Sequence, residues 1–117
     1  MQAVNRSNSM VIASDLRKAN GFLPKLRGLI GKTVFEKGEG LWMAPCRAIH
    51  TIGMRFPIDV VFMDKDFTVR KIVKCLRPFR PIVYCYRANG IMELPVGTIE
   101  NANIQVGDKI EIVNPSE

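Results

Sequence analysis

The chain is short of the side chains that most catalytic and metal centres use. His50 is the single histidine in 117 residues, and the three cysteines, Cys46, Cys75 and Cys85, show no C-x-x-C spacing. Structural zinc takes four protein ligands and catalytic zinc three, so no metal and no cofactor is assigned. Three thiols cannot all pair within one chain, and free, mostly buried cysteines fit a reducing compartment. Long apolar runs are missing too. None approaches the roughly 18 residues that cross a bilayer, so no membrane partner is expected. The N-terminal segment has no apolar core longer than Met10-Val11-Ile12-Ala13, which argues against a secretory signal and for a cytoplasmic protein. Repeats, linkers and low-complexity stretches are absent as well, so residues 1–117 read as a single domain, long enough to bury a core without a staple.

Apolar residues make up 47% and charged residues 24%, ordinary proportions for a globular protein. The net charge of +6 suits an acidic partner without requiring one.

The most informative stretch is Cys46–Cys75. Within it, Ile58-Asp59-Val60-Val61-Phe62-Met63 is apolar on both strand faces, the pattern of a strand covered on both sides. Asp59 therefore sits where a charge is expensive unless it is paired or hydrogen-bonded. Upstream, Cys46, Ala48, His50 and Ile52 share one face of a second expected strand, and Gly53–Pro57 breaks the chain between the two. This places His50, Arg55 and Asp59 in a candidate polar network, with Asp59 accepting from Arg55, His50 or backbone donors. Thr51, Met54 and Trp42 complete the candidate ligand site, which would suit a small polar or anionic ligand. The same network also has a purely architectural reading.

Catalytic roles are weaker. Cys46 and His50, four apart on a flat strand, lie ~13 Å from each other, beyond the contact that a nucleophile and its base require. No catalytic residue is assigned, and an enzyme built on His50 is kept only as a further alternative.

Elsewhere, residues 1–13 read as poorly ordered or as an edge segment at Met10–Ala13, and Asp15–Asn20 as a short helical turn. Pro24 opens a helix through Ile30 that Gly31 stops. Leu41–Ala44 is a short strand. Ile58–Met63 and Thr68–Cys75 form an antiparallel hairpin, and the prolines of 76–81 force a loop or an edge. Ile82–Tyr86, Ile91–Leu94 and Lys109–Val113 are further strands, and Thr98 is placed to cap a short second helix. Many short strands with few helices argue for a sandwich or barrel.

Between Arg70 and Arg87 no acid interrupts Arg70, Lys71, Lys74, Arg77, Arg80 and Arg87, and Phe79, Tyr84 and Tyr86 are interleaved. That composition suits nucleic acid. The expectation here is partly packed tyrosines and weak, sequence-blind binding that physiological salt abolishes.

Several motifs carry a resemblance: Leu26-Arg27-Gly28-Leu29-Ile30-Gly31, Gly38-Glu39-Gly40-Leu41-Trp42, Pro45-Cys46, Ile49-His50-Thr51, Met54–Phe62, Arg77-Pro78, Glu93–Thr98 and Gly107-Asp108. Their order over roughly residues 22–110 resembles domain-of-unknown-function family 192. The resemblance implies a mainly β domain, a jelly-roll-like antiparallel β-sandwich or barrel with an N-terminal helix and a short second helix. It implies no activity. The chain departs from the family pattern at Phe67 and Asn103, two turn positions where members tend to carry glycine.

Overall fold

Strand β6 (Ile58–Met63) is buried at all six positions. It lies between β7 (Val69–Leu76) and β9 (Gly90–Pro95), antiparallel to both, which explains why its sequence is apolar on both faces. The computed structural model describes residues 1–19 and 35–114; the helix expected over Pro24–Ile30 lies outside these residues. The other elements are β1 (Gln2–Asn5), β2 (Met10–Ala13), β3 (Asp15–Lys18), β4 (Glu39–Met43), β5 (Ala48–Ile49), β8 (Val83–Tyr84), α1 (Thr98–Asn101) and β10 (Ile110–Val113).

The protein is mainly β. A five-stranded sheet runs β3-β4-β9-β6-β7, a three-stranded sheet β10-β1-β2, and β5 pairs with β8 alone. Alternation along the central strands feeds two core layers. Trp42, Val61, Met63, Met92 and Leu94 face one way and pack with Ala3, Ile12 and Ile110 of the three-stranded sheet. Met43, Ile58, Val60, Phe62 and Ile91 face the other way and pack with Ile49 and Val83 of the small β5–β8 ribbon. At Gly90, a side chain would overlap the Trp42 indole, so glycine admits the only tryptophan to the first layer.

Three expectations are corrected here. Residues 1–13 are not a loose edge: β1 is the middle strand of its sheet, with Ala3 and Asn5 fully buried, although β2 does form an edge. Of the helical turn expected over Asp15–Asn20, Asn20 lies outside the described residues and the rest is not helical. Asp15–Lys18 pairs in parallel with Glu39–Trp42 and buries Leu16, so ladder bonds and one buried leucine override local helix propensity. Thr98 does not cap α1. That position is Gly97, held at φ 96 without a side-chain cap of its own.

Both departures from the family pattern fall at left-handed positions, Phe67 at φ 62 and Asn103 at φ 50. Asparagine tolerates that region readily and phenylalanine does not. The Phe67 ring is compensated by stacking on Trp42, with centroids 5.7 Å apart.

Candidate functional site

The expected trio does not assemble as a network of side chains. Asp59 is 1% exposed, and its carboxylate is satisfied by backbone amides from three separate places. Oδ1 accepts the Cys75 N–H at 2.9 Å, and Oδ2 accepts the Gly97 and Ile99 N–H groups at 3.1 and 2.9 Å. Through these bonds Asp59 caps α1 and pins the end of β7, where Cys75 adopts φ 52. Backbone donors win because Asp59 shares the face of Val61 and Met63, whereas Arg55 is exposed and forms no ion pair with any described residue. Trp42 belongs to the first core layer and Met54 to the second, so they do not form one wall.

Thr51 has the role that the sequence did not disclose. It is fully buried and grips the 77–80 loop with both backbone and side chain. Its Oγ1–H donates to the Arg77 carbonyl at 2.7 Å and the same oxygen accepts the Arg80 N–H at 2.8 Å. Its own N–H donates to the Arg80 carbonyl at 3.0 Å, and its carbonyl accepts the Phe79 N–H at 2.9 Å. β5 stops at Ile49 because the backbone beyond it bonds to this loop instead of to a strand. The clamp thereby joins two stretches that the sequence treats separately, Ile52–Arg55 and Arg77–Arg80.

The clamped loop shows its side chains to water. Phe79 is held at φ 66 with 70% of its surface exposed. A bulky residue in the left-handed region is uncommon, and such positions persist where the surrounding structure enforces them. Further along, Val83 is buried while Ile82, Tyr84 and Tyr86 are exposed, Tyr86 to 76%. The expected partial packing holds for Tyr84, which is half-covered, and is corrected for Tyr86. Val83 and Ala88 supply the inward contacts of this segment, which leaves Tyr86 outside and Tyr84 half-covered. Arg55, Lys74, Arg77, Arg80 and Arg87 are exposed alongside them, and none pairs with a described acid.

Among the described residues, two buried polar atoms have no hydrogen-bond partner, His50 Nδ1 and Glu93 Oε1. Glu93 lies mid-sheet, directly between Leu41 of β4 and Val60 of β6. Burial pushes its carboxyl up to about 7. The sequence signal was the one noted for Asp59, an acid inside a strand that is apolar on both sides. Among the described residues, no group of three or more His, Cys, Asp or Glu side chains is arranged to hold a metal, and no helix is long and apolar enough to cross a membrane.

Known proteins place this geometry in a family. A UPF0127 protein from Pyrococcus horikoshii is 30% identical over 113 residues, covering 92% of this chain and 96% of its own. One from Pyrococcus furiosus is 29% identical over 120 residues, covering 92% and 95%. Among solved structures, a protein of unknown function from Novosphingobium aromaticivorans superposes with a TM-score of 0.82 at 20% identity, covering 95% of this chain and 82% of that one. A Sinorhizobium meliloti protein, provisionally described as a transcription regulator, gives 0.81 at 18% identity, covering 94% and 89%. These two likenesses concern the fold alone. The sequence profile of domain-of-unknown-function family 192 (DUF192), described as an uncharacterized ACR, matches residues 3–112 rather than the narrower 22–110, and the chain belongs to that family.

Proposed function

We propose that this protein is a non-enzymatic binding module that holds single-stranded nucleic acid on the surface formed by Ile52–Arg55 and Arg77–Arg87. The observation that carries this reading is the exposure of Phe79, Tyr84 and Tyr86 among unpaired arginines. Unstacked bases gain roughly 1–3 kcal/mol each from an aromatic platform. Arginines beside such rings neutralise phosphates and release condensed counterions. Rings packed into the core would have left only the charge term, which physiological salt removes. Exposed rings add a salt-insensitive term, so binding should persist at that salt.

A filter-binding titration with single-stranded RNA tests this. The expected result is submicromolar affinity at physiological salt, weakened by Arg77→Ala and Arg80→Ala. No binding at that salt would contradict it.

A small polar ligand beside His50 is the second reading, supported by the unpartnered Nδ1. It predicts a metabolite that raises the melting temperature of the wild type and leaves His50→Gln unmoved. The lead reading is preferred because it uses an exposed surface whose 77–80 loop is held by Thr51. We also read the two packed sheets as a jelly-roll variant from which the parallel β3–β4 pair departs.

A further inference from the structure

A second feature adjoins the proposed surface. The turn Asp64–Asp66, the turn Tyr86–Asn89 and Arg47 border an open cleft of about 400 Å³, within the size range of small-ligand sites. Four cations, Arg47, Lys65, Arg70 and Arg87, line it against two acids, Asp64 and Asp66.

The first acid already has partners. Asp64 Oδ1 accepts the N–H groups of Asp66 and Thr68 at 2.8 and 3.0 Å, and Oδ2 accepts Arg70 Nε at 2.7 Å. Burial acts to raise this carboxyl, but the Thr68 amide, Arg70 and the Asp66 amide outweigh it and hold it below its ordinary value. Asp64 thus stays ionised and fixes the Arg70 guanidinium by its inner nitrogen, leaving the two terminal nitrogens without a partner among the described residues. That is the arrangement for bidentate recognition of an oxyanion. Asp66 keeps a free carboxylate and opposes an anion. Tyr86, exposed at the rim, offers a ring to a base attached to that anion.

We infer that this cleft takes the terminal phosphate of a nucleotide whose base stacks on Tyr86. The chemistry favours a phosphomonoester over an internal diester: the former carries close to two negative charges and three acceptor oxygens, which suits four lining cations set against two acids. The inference rests on the nucleic-acid reading for its partner class. The same terminal phosphate could belong to a strand end or to a free mononucleotide.

Fluorescence anisotropy with an oligonucleotide of about eight residues, carrying a 5′-phosphate, a 3′-phosphate or neither, tests it. A terminal phosphate at one end should tighten binding about tenfold. Arg70→Gln should abolish that gain and Arg47→Gln with Lys65→Gln should weaken it, each leaving the unphosphorylated strand bound as before. Asp66→Asn should enlarge the gain, which a merely unfolded variant cannot do. Nucleoside monophosphate that competes for the gain identifies a mononucleotide ligand, and monophosphate that does not compete identifies a strand end; either supports the cleft. Equal binding of all three strands, with no monophosphate bound, overturns this inference and leaves the broader reading standing. Monophosphate bound through Arg47 with no strand bound overturns the broader reading and keeps the cleft.

Discussion

Thr51 and Arg80 exchange hydrogen bonds in both directions: the Thr51 N–H donates to the Arg80 carbonyl at 3.0 Å, and the Arg80 N–H donates to Thr51 Oγ1 at 2.8 Å. One residue is fully buried and the other exposed. The pair therefore couples the buried interior to the surface, and it ties the pose of Phe79 to a buried residue.

Thr51→Val keeps the shape of the side chain and removes the oxygen. The Arg80 N–H then loses its acceptor and the Arg77 carbonyl its donor, a loss of about 1–3 kcal/mol. Denaturant unfolding should show that loss, and hydrogen exchange should show faster opening confined to the 77–80 loop. Thr51→Ser should recover both. Uniform exchange across the chain would contradict the clamp.

Asp59→Ala strands three amides, at Cys75, Gly97 and Ile99. Hydrogen bonds to a charged group contribute roughly 1.5–3 kcal/mol each, so the expected destabilisation is about 3 kcal/mol or more. Thermal melting checks it. Arg55→Ala should leave melting unchanged, because Arg55 does not contact Asp59. Equal losses in the two variants would restore the side-chain network.

Glu93 predicts a pH slope. Its folded value is raised from 4.5 to about 7, so the folded state holds its proton where the unfolded chain has released it. The associated stability is fully present below about 4.5, declines as pH rises toward 7, and is gone above that. The span corresponds to roughly 3 kcal/mol. Glu93→Leu, flanked by Leu41 and Val60, should stabilise the protein at pH 8 and flatten the slope between pH 5 and 7. Urea titrations across that range provide the measurement.

How much of this was legible in the sequence follows from the physics of each signal. β6 was read correctly because an unbroken apolar run with β-branched and aromatic residues has few alternatives to a doubly covered strand. The burial of Asp59 followed from the same pattern, but its partners did not. Two of the three amides it binds belong to residues about forty positions away, and backbone donors leave no mark on composition. β3 was missed because Asp15–Asn20 contains only one strong apolar residue, Leu16, and its strand state depends on a partner at residues 39–42. The clamp at Thr51 was invisible for a related reason: a threonine flanked by a histidine and an isoleucine looks the same whether it grips a loop or fills a core. The strand expected over Ile82–Tyr86 shrinks to Val83–Tyr84, so Tyr84 and Tyr86 do not share a strand face: Tyr84 is half-covered and Tyr86, in the turn beyond, is not, because alternation holds only while the ladder continues.

Amide chemical-shift mapping of the isotope-labelled protein, titrated with single-stranded RNA at physiological salt, tests the proposed nucleic-acid surface most directly. The account predicts shifts concentrated at Ile52–Arg55 and Arg77–Arg87, reduced in Phe79→Ala and Tyr86→Ala proteins that melt like the wild type. Shifts confined to the β10-β1-β2 sheet, or none at saturating RNA, would contradict it.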